Sequence, residues 1–283
     1  MSGDESSDLG ILVNPTEAEF RDLSRLVYDQ FGINLTDKKK SLVRGRLNKV
    51  LKERGFTTFS QYLGAVRRDQ SGMALIELID RISTNHTFFF RESDHFSFFQ
   101  EVALEEIRTE NPAEIRIWCA GCATGEEAYT LAMLCQEWGE RKNFRGSFKI
   151  LATDISVTAL EQAVTGLYND ERMRLVPQGL KKKFFEELGP DRWSVSEVLK
   201  KRILFKRLNF MDKSFPFKNQ FHAVFCRNVM IYFDRETKND LVQRIGRHLM
   251  AGHYFFIGHS ETLGRETFDF EYVKPSVYRK SAP

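Results

Sequence analysis

A chain of 283 residues, 42% of them hydrophobic and with a net charge of +3, is long enough for two separate cores and too weakly charged to announce a nucleic-acid binder. No apolar run approaches the ~18–20 residues of a membrane span, the longest being short pieces such as VMIYF and YFFIG. Four cysteines, Cys119, Cys122, Cys135 and Cys226, do not make a disulfide framework, and no second Cys-x-x-Cys or histidine pair completes a zinc site.

The opening residues, MSGDESSDLG, are acidic and polar, without the basic and apolar regions of a secretory signal, so a cytoplasmic protein with a flexible tail over 1–14 is expected. From 15 to 92 apolar residues recur at helical spacing. Phe20, Leu23, Leu26 and Val27 form one set; Val43, Leu47, Val50 and Leu51 another; then come Phe59, Tyr62 and Leu63, and last Leu75, Leu78, Ile79 and Ile82. Thr16, Thr58 and Ser71 are candidate caps, and Gly32 and Gly55 candidate stops. This stretch reads as a small all-helical domain.

After about residue 112 the pattern changes: IRIWC, FKILATDI, HAVFCRNV and HYFFIGH alternate with helix-like segments. Such runs belong to parallel strands buried on both faces, which predicts a doubly wound, Rossmann-like α/β domain, assigned here to 93–283. Between about 166 and 208 the alternation breaks. LVPQGLKKKFFEEL reads as a helix, and DRWSVSEVLKKRILFKRL, after a turn at Gly189 and Pro190, alternates at strand period. A small antiparallel β subdomain inserted at 166–208 is expected.

Residues 116–127, RIWCAGCATGEE, admit two readings. A reactive Cys-x-x-Cys needs a lowered thiol pKa, yet Cys119 closes a buried strand and Glu126 and Glu127 follow within eight residues. The small residues at 120–125 instead suit a sharp turn that lets a ligand approach the backbone before a helix begins at Thr124 or Gly125. Two acids in the first helical turn repel phosphate, which argues against ATP or a dinucleotide. Asp154, at the end of the second strand, stands where an acid would hydrogen-bond a ribose diol. A turn, an acid and no phosphate-binding feature point to S-adenosylmethionine, a cationic sulfonium on an adenosine without phosphates.

Five segments carry a more specific signal: TNHTFFFRE (84–92), AGCATGEEAYTLAM (120–133), ATDIS (152–156), FCRNVMIYFD (225–234) and GHSE (258–261). In order and spacing they resemble the CheR-type chemotaxis receptor methyltransferases, over nearly the whole chain. The resemblance implies S-adenosylmethionine-dependent methylation of glutamate side chains on chemoreceptor helices, giving methyl esters and S-adenosylhomocysteine for chemotactic adaptation. It implies a cofactor held by Asn85, Thr87 and Arg91 from one side and by Ala120 and Gly121 at the turn. Glu127 would meet the methionine part or adjoining ribose region, Asp154 the ribose, Asn209 and Phe210 the adenine surroundings, and Arg227 with Asn228 the pocket floor. Arg91 and Tyr232 would line the transfer site as catalytic residues. On the residues alone, Arg91 pairs equally well with Glu92 or Asp94, and Tyr232 can be core; Asn209 and Asn228 each follow an apolar strand, where open α/β sheets bind ligands.

KKKSLVRGRLNKVLKER (38–54) holds eight basic residues and one acid. Such a run is usually a solvated face; under the resemblance, Arg46, Lys49 and Lys52 become a docking face for acidic receptor helices. The helix lacks interleaved aromatics, so nucleic acid is not expected as partner, nor is membrane insertion. The short ELGPDRW turn leads us to expect an enzyme recruited to receptor arrays without a C-terminal receptor tether peptide. Six histidines scattered from His86 to His259 show no ligand spacing, so no metal is expected. Two rival readings are an RNA or small-molecule methyltransferase on the same fold and a non-catalytic cofactor sensor; Arg91 and Tyr232 together favour an enzyme.

Overall fold

The structure, a computed structural model, describes residues 12–264 and 269–282. Residues 1–11, most of the expected tail, lie outside the described residues. The last part of that expectation is corrected: Val13 exchanges backbone hydrogen bonds with the Asn48 amide at 2.7 and 2.9 Å, and Arg44 reaches the Asn14 side chain.

The chain divides into two compact units, one ending at Ser83 and the other running from Thr84, with residues 31–33 counted in the second. The first unit is all helical, with α1 (Glu17–Phe31), a 3-10 turn at Asp37–Lys39, α2 (Lys40–Glu53), α3 (Phe59–Arg68) and α4 (Met73–Ile82). Thr16 and Glu19 cap α1 reciprocally, the threonine hydroxyl accepting the Glu19 N–H and the carboxylate accepting the Thr16 N–H. Thr58 caps α3, whereas Gly72 rather than Ser71 is the N-cap of α4. Val43, Leu47, Val50 and Leu51 of α2 are buried with Phe59, Tyr62, Leu63, Leu78 and Ile79, as the helical spacing requires.

The second unit opens with α5 (Ser93–Phe98), a π-helical turn at Phe99–Ala103 and α6 (Leu104–Thr109). There follow β1 (Glu114–Ala120), α7 (Glu126–Arg141), β2 (Ser147–Asp154), α8 (Val157–Thr165), β3 (Leu167–Tyr168), α9 (Asp170–Met173) and α10 (Gln178–Phe184). Next come β4 (Phe185–Gly189), β5 (Arg192–Val195), α11 (Glu197–Lys200), β6 (Ile203–Arg207), β7 (Phe221–Cys226), a 3-10 turn at Met230–Tyr232 and α12 (Arg235–His248). The chain closes with β8 (Leu249–Ile257), β9 (Phe270–Lys274) and β10 (Val277–Lys280).

Seven strands form the main sheet in the order β6-β2-β1-β7-β8-β10-β9. The first five run parallel, and β10 and β9 pair antiparallel at one end. The period-2 alternation sends Ile115, Ile117 and Cys119 into one core and Trp118 and Ala120 into the other. Phe225 and Phe256 on neighbouring strands stack at 4.2 Å within the first core, and Phe255 and Ile257 join the second. Burial on both faces is what makes these strands read as unbroken apolar runs.

Three expected boundaries move. The second unit begins at Thr84 instead of 93, because 84–92 is not helical and Phe89 is buried edge-to-face against Tyr168 and Phe185. The inserted sheet, ordered β3-β5-β4, ends at Val195, since β6 pairs in parallel with β2 in the main sheet. FEEL (185–188), expected to be helical, lies in β4: Phe185 faces Val195 across a hairpin, and this pairing overrides a run of good helix formers.

Candidate functional site

The chain runs from β1 to β2 to β6 on one side of the sheet and from β7 to β8 on the other, so the order reverses between β1 and β7. Ligands of open α/β sheets bind in the crevice at such a reversal, beyond the carboxyl ends of the strands. Ala120 and Gly121 end β1, Asp154 ends β2, Asn209 follows β6, and Arg227 and Asn228 follow β7. Six residues expected to hold the cofactor therefore stand at strand ends of the kind a ligand uses.

The turn after β1 is tight. Gly121 and Cys122 both donate backbone N–H groups to the Thr153 carbonyl, at 2.7 and 2.9 Å, tying the turn to β2. Gly121 has φ of 88°, and a Cβ there would stand 2.3 Å from Val229 Cγ2. Gly125, with φ of 96°, caps α7 and packs on Ala163 and Tyr168. Asp154 accepts the Ala123 N–H at 2.8 Å with one carboxylate oxygen and the Ser156 N–H at 2.9 Å with the other. It thus shapes the turn that a ribose would meet.

Two acids follow, with different tasks. Glu126 is buried and pairs with Arg172, which also donates to Thr124; Thr124 donates to Glu126 at 2.6 Å. This is a structural pair beneath the turn. Glu127 faces the crevice: its Oε2 accepts from Arg227 at 3.0 Å and its Oε1 from the Cys119 thiol at 3.1 Å. Burial pushes the Glu127 carboxyl up, opposed mainly by Arg227. Burial, with Glu127 beside Cys119 and Asp154 beside Cys122, pushes both thiols well up, which opposes the thiolate that a redox Cys-x-x-Cys needs.

Arg227, 1% exposed, is the centre of the network. Its other terminal nitrogen donates to Glu92 at 3.0 Å and to the Arg91 carbonyl, and its guanidinium lies 5.0 Å from the centre of the Phe96 ring. Glu92 also accepts from Asn228 at 3.2 Å, and those contacts hold its carboxyl below the usual range despite burial. Glu261 accepts three backbone N–H groups, from Gly258, Asn228 and Ile231, and so fixes the turn that carries Tyr232. Phe90, Glu92, Ala123 and Asn228 all have positive φ. Left-handed backbone in residues other than glycine costs energy and collects where geometry is functional, and here it flanks Arg91 on both sides.

The remaining expected residues are placed as follows. Asn85 donates to Ser156 at 3.3 Å, and the Thr87 carbonyl accepts from Arg172 at 3.4 Å. Arg91 donates to the His86 carbonyl at 3.1 Å and lies over Phe88; it has no ion pair with Glu92 or Asp94 among the described residues. Asn209 accepts the Met211 N–H, and Phe210 packs edge-on to Trp118. Tyr232, half-buried, ends the 3-10 turn after β7, outside the described core. Glu92, Glu261 and Cys119 were not singled out from sequence as site residues. Their partners lie up to 167 positions away, and only the position of Glu92 beside Arg91 hints at its role.

Comparison with known proteins identifies the family. The CheR methyltransferase, SAM binding domain, matches residues 85–279, and the CheR methyltransferase, all-alpha domain, matches residues 18–83. The chain belongs to the CheR methyltransferase family. It is 45% identical to the chemotaxis protein methyltransferase of Borreliella burgdorferi over 95% of this chain and 96% of that one. The corresponding protein of Escherichia coli is 34% identical over 94% of this chain and 92% of that one. Among solved structures, magnesium protoporphyrin IX methyltransferase from Synechocystis PCC 6803 with bound SAM aligns over 65% of this chain and 76% of that one, at 11% identity and a TM-score of 0.34, too slight a likeness to weigh.

The second unit of this CheR-family enzyme is an S-adenosylmethionine-binding methyltransferase domain, and the residues present fit that cofactor. The β1 turn brings backbone close to a ligand, Asp154 suits a diol, and the acids at the start of α7 tolerate a cationic sulfonium but not a phosphate. Among the described residues, no helix is long and apolar enough to cross a membrane.

Proposed function

We propose that the methyl group is delivered to glutamate side-chain carboxylates on acidic chemoreceptor helices, for chemotactic adaptation. One observation carries this reading. Arg227 is already clamped between Glu127 and Glu92, whereas Arg91, beside it, spends one hydrogen bond on a carbonyl and has no carboxylate partner among the described residues. A guanidinium with donors to spare at the edge of a cofactor crevice suits an incoming carboxylate, which it grips by its planar fork.

The bound cofactor supplies a methyl on positively charged sulfur. A glutamate, with pKa near ~4.3, is ionised at neutral pH, so attack needs no general base. Held by the β1 turn and Asp154, the cofactor would give up that methyl to the carboxylate and leave as S-adenosylhomocysteine, the acceptor becoming a neutral ester. What this chain contributes is alignment. Arg91 holds one carboxylate oxygen, Tyr232 donates a hydrogen bond near the reacting centre, and Glu92 with Glu261 fixes the backbone on either side. Positioning and removal of water together lower such barriers by up to ~7–11 kcal/mol in favourable cases.

Lys49 and Lys52 of α2 provide the docking charge for the receptor. Arg46 is instead committed to the end of α4, donating to the Ile82 and Ser83 carbonyls at 2.6 and 2.8 Å. The β4–β5 hairpin turns within Gly189–Asp191, and its free edge carries Glu186 and Glu187, which favours an enzyme that works without a tether peptide. The enzyme would act at cytoplasmic receptor arrays. Incubation with tritiated S-adenosylmethionine and receptor-containing membranes should label receptor as base-labile methyl ester; label in RNA, or in a base-stable form, would overturn the reading.

A further inference from the structure

We propose that Glu92, His95 and His259 form a binding site for a divalent transition-metal ion of the zinc class, and that filling it slows methyl transfer by drawing Glu92 away from Arg227. One nitrogen or oxygen from each residue lies within 4.8 Å of the others. His95 Nδ1 is 3.6 Å from Glu92 Oε2, and the two imidazole rings stand 4.7 Å apart at 79°. Two imidazoles and a carboxylate are a donor set suited to zinc, and a modest contraction brings them to bonding distance.

His95 is the second and independent observation. Its side chain is 0% exposed, yet neither ring nitrogen has a hydrogen-bond partner in the protein. Buried imidazoles normally satisfy at least one nitrogen, and an orphaned pair beside a carboxylate and a second histidine is the arrangement a missing ligand leaves. His259 is 46% exposed and gives an ion a way in, while Asp94, 3.0 Å from its Nε2, can orient the ring from outside. Sequence spacing led to the expectation of no metal because the third donor lies at the end of β8, far along the chain from the other two.

Arg227 is the opposing charge. It donates to the same Glu92 oxygen that faces His95, so a cation and this guanidinium compete for one carboxylate. Asn228 shares Glu92 as well, and both of these residues stand at the β7 end of the cofactor crevice. Occupation of the metal site therefore loosens the crevice.

The metal arm of the test needs no activity. Chelator-treated full-length protein is titrated with Co2+, whose visible absorption reports nitrogen and oxygen ligation, and then with Zn2+. One equivalent of Co2+ displaced by Zn2+ is expected in the wild type. His259→Ala should weaken Co2+ binding by roughly tenfold or more, and His95→Gln likewise, while loss of an exposed histidine elsewhere, His86→Ala, should change nothing. Equal binding by wild type and His259→Ala, or no stoichiometric uptake by wild type, overturns the site. The second arm rests on the proposed methyl transfer: Zn2+ should inhibit labelling of receptor by wild type and spare His259→Ala. A Co2+ site whose occupation leaves transfer untouched overturns the inhibitory role alone, and an enzyme without receptor activity leaves the Co2+ result standing.

Discussion

Arg227 and Glu127, one hundred positions apart in sequence, meet at 3.0 Å at the junction between β7 and α7, and both are almost wholly withdrawn from water. The pair binds the two halves of the sheet across the crevice. Removing Arg227 would leave Glu127 and Glu92 as buried charges without their cation, a change that costs roughly 3–5 kcal/mol. Urea denaturation of Arg227→Ala should show a loss of that order. Adding Glu127→Gln should return part of it, because one of the stranded charges is gone; strictly additive losses would show that the two residues are not coupled.

Arg91 has little structural work to do. Its hydrogen bond goes to the His86 carbonyl and its guanidinium rests on Phe88. Arg91→Ala should therefore keep the melting temperature of the wild type while kcat for receptor methylation falls by about 10²-fold or more, the scale seen when a donor to a reacting oxygen is removed. Arg91→Lys should recover little, since a point charge does not replace the planar fork. Turnover at the wild-type rate would remove Arg91 from the transfer site.

On α2 Arg46 is bonded to the end of α4, and Lys49 and Lys52 are the proposed docking charges. Reversing Lys49 and Lys52 to Glu should raise KM for receptor, more at low salt than at high, and leave cofactor affinity unchanged. Arg46→Ala should behave differently, lowering stability by about 1.5–3 kcal/mol through the two carbonyls it leaves at the end of α4, with little effect on KM. Titration calorimetry with cofactor and initial rates against receptor concentration distinguish the two.

Acid should weaken the fold through its buried histidines. Burial pulls His95 and His222 down to about 4, helped by Arg227 for the first and Arg116 for the second. Below the ordinary histidine pKa near ~6.5 the unfolded chain takes up protons that these folded rings refuse, so stability present above that value is lost as pH falls towards 4, by up to about 1.4 kcal/mol per pH unit for each ring. The buried carboxyls Glu126, Glu127 and Glu261 are pushed up by desolvation and act in the opposite sense, their contribution fading as pH rises. Comparing wild type with His222→Gln by denaturation between pH 4 and 7 isolates one histidine; parallel curves would show that its proton is not linked to folding.

The strands were legible because burial on both faces leaves no polar alternation to obscure them, as in HAVFC and HYFFI. The turn at Gly121, the acid at Asp154 and the two asparagines after strands could be read for the same reason, since each stands at a strand end. What the sequence hid depends on distance along the chain. Nothing local tells that Glu126 is taken by Arg172 while its neighbour Glu127 faces Arg227, or that Glu92 joins Asn228. Nor does local pattern tell a buried Phe185 on a hairpin from one more turn of α10.

The loop after β7 is gripped from two sides, by Gly121, where a Cβ would strike Val229, and by Gly258, where a Cβ would come within 2.4 Å of the Asn228 amide. That interlock sets an order on how this enzyme can change over evolutionary time. A larger residue at 258 meets the Asn228 backbone nitrogen as well as its amide, so the β7 loop beside Arg227 must shift with it, whereas one at 121 meets the Val229 side chain and needs a smaller residue there. Substitution at either glycine is therefore tied to a prior change at Val229 or Asn228.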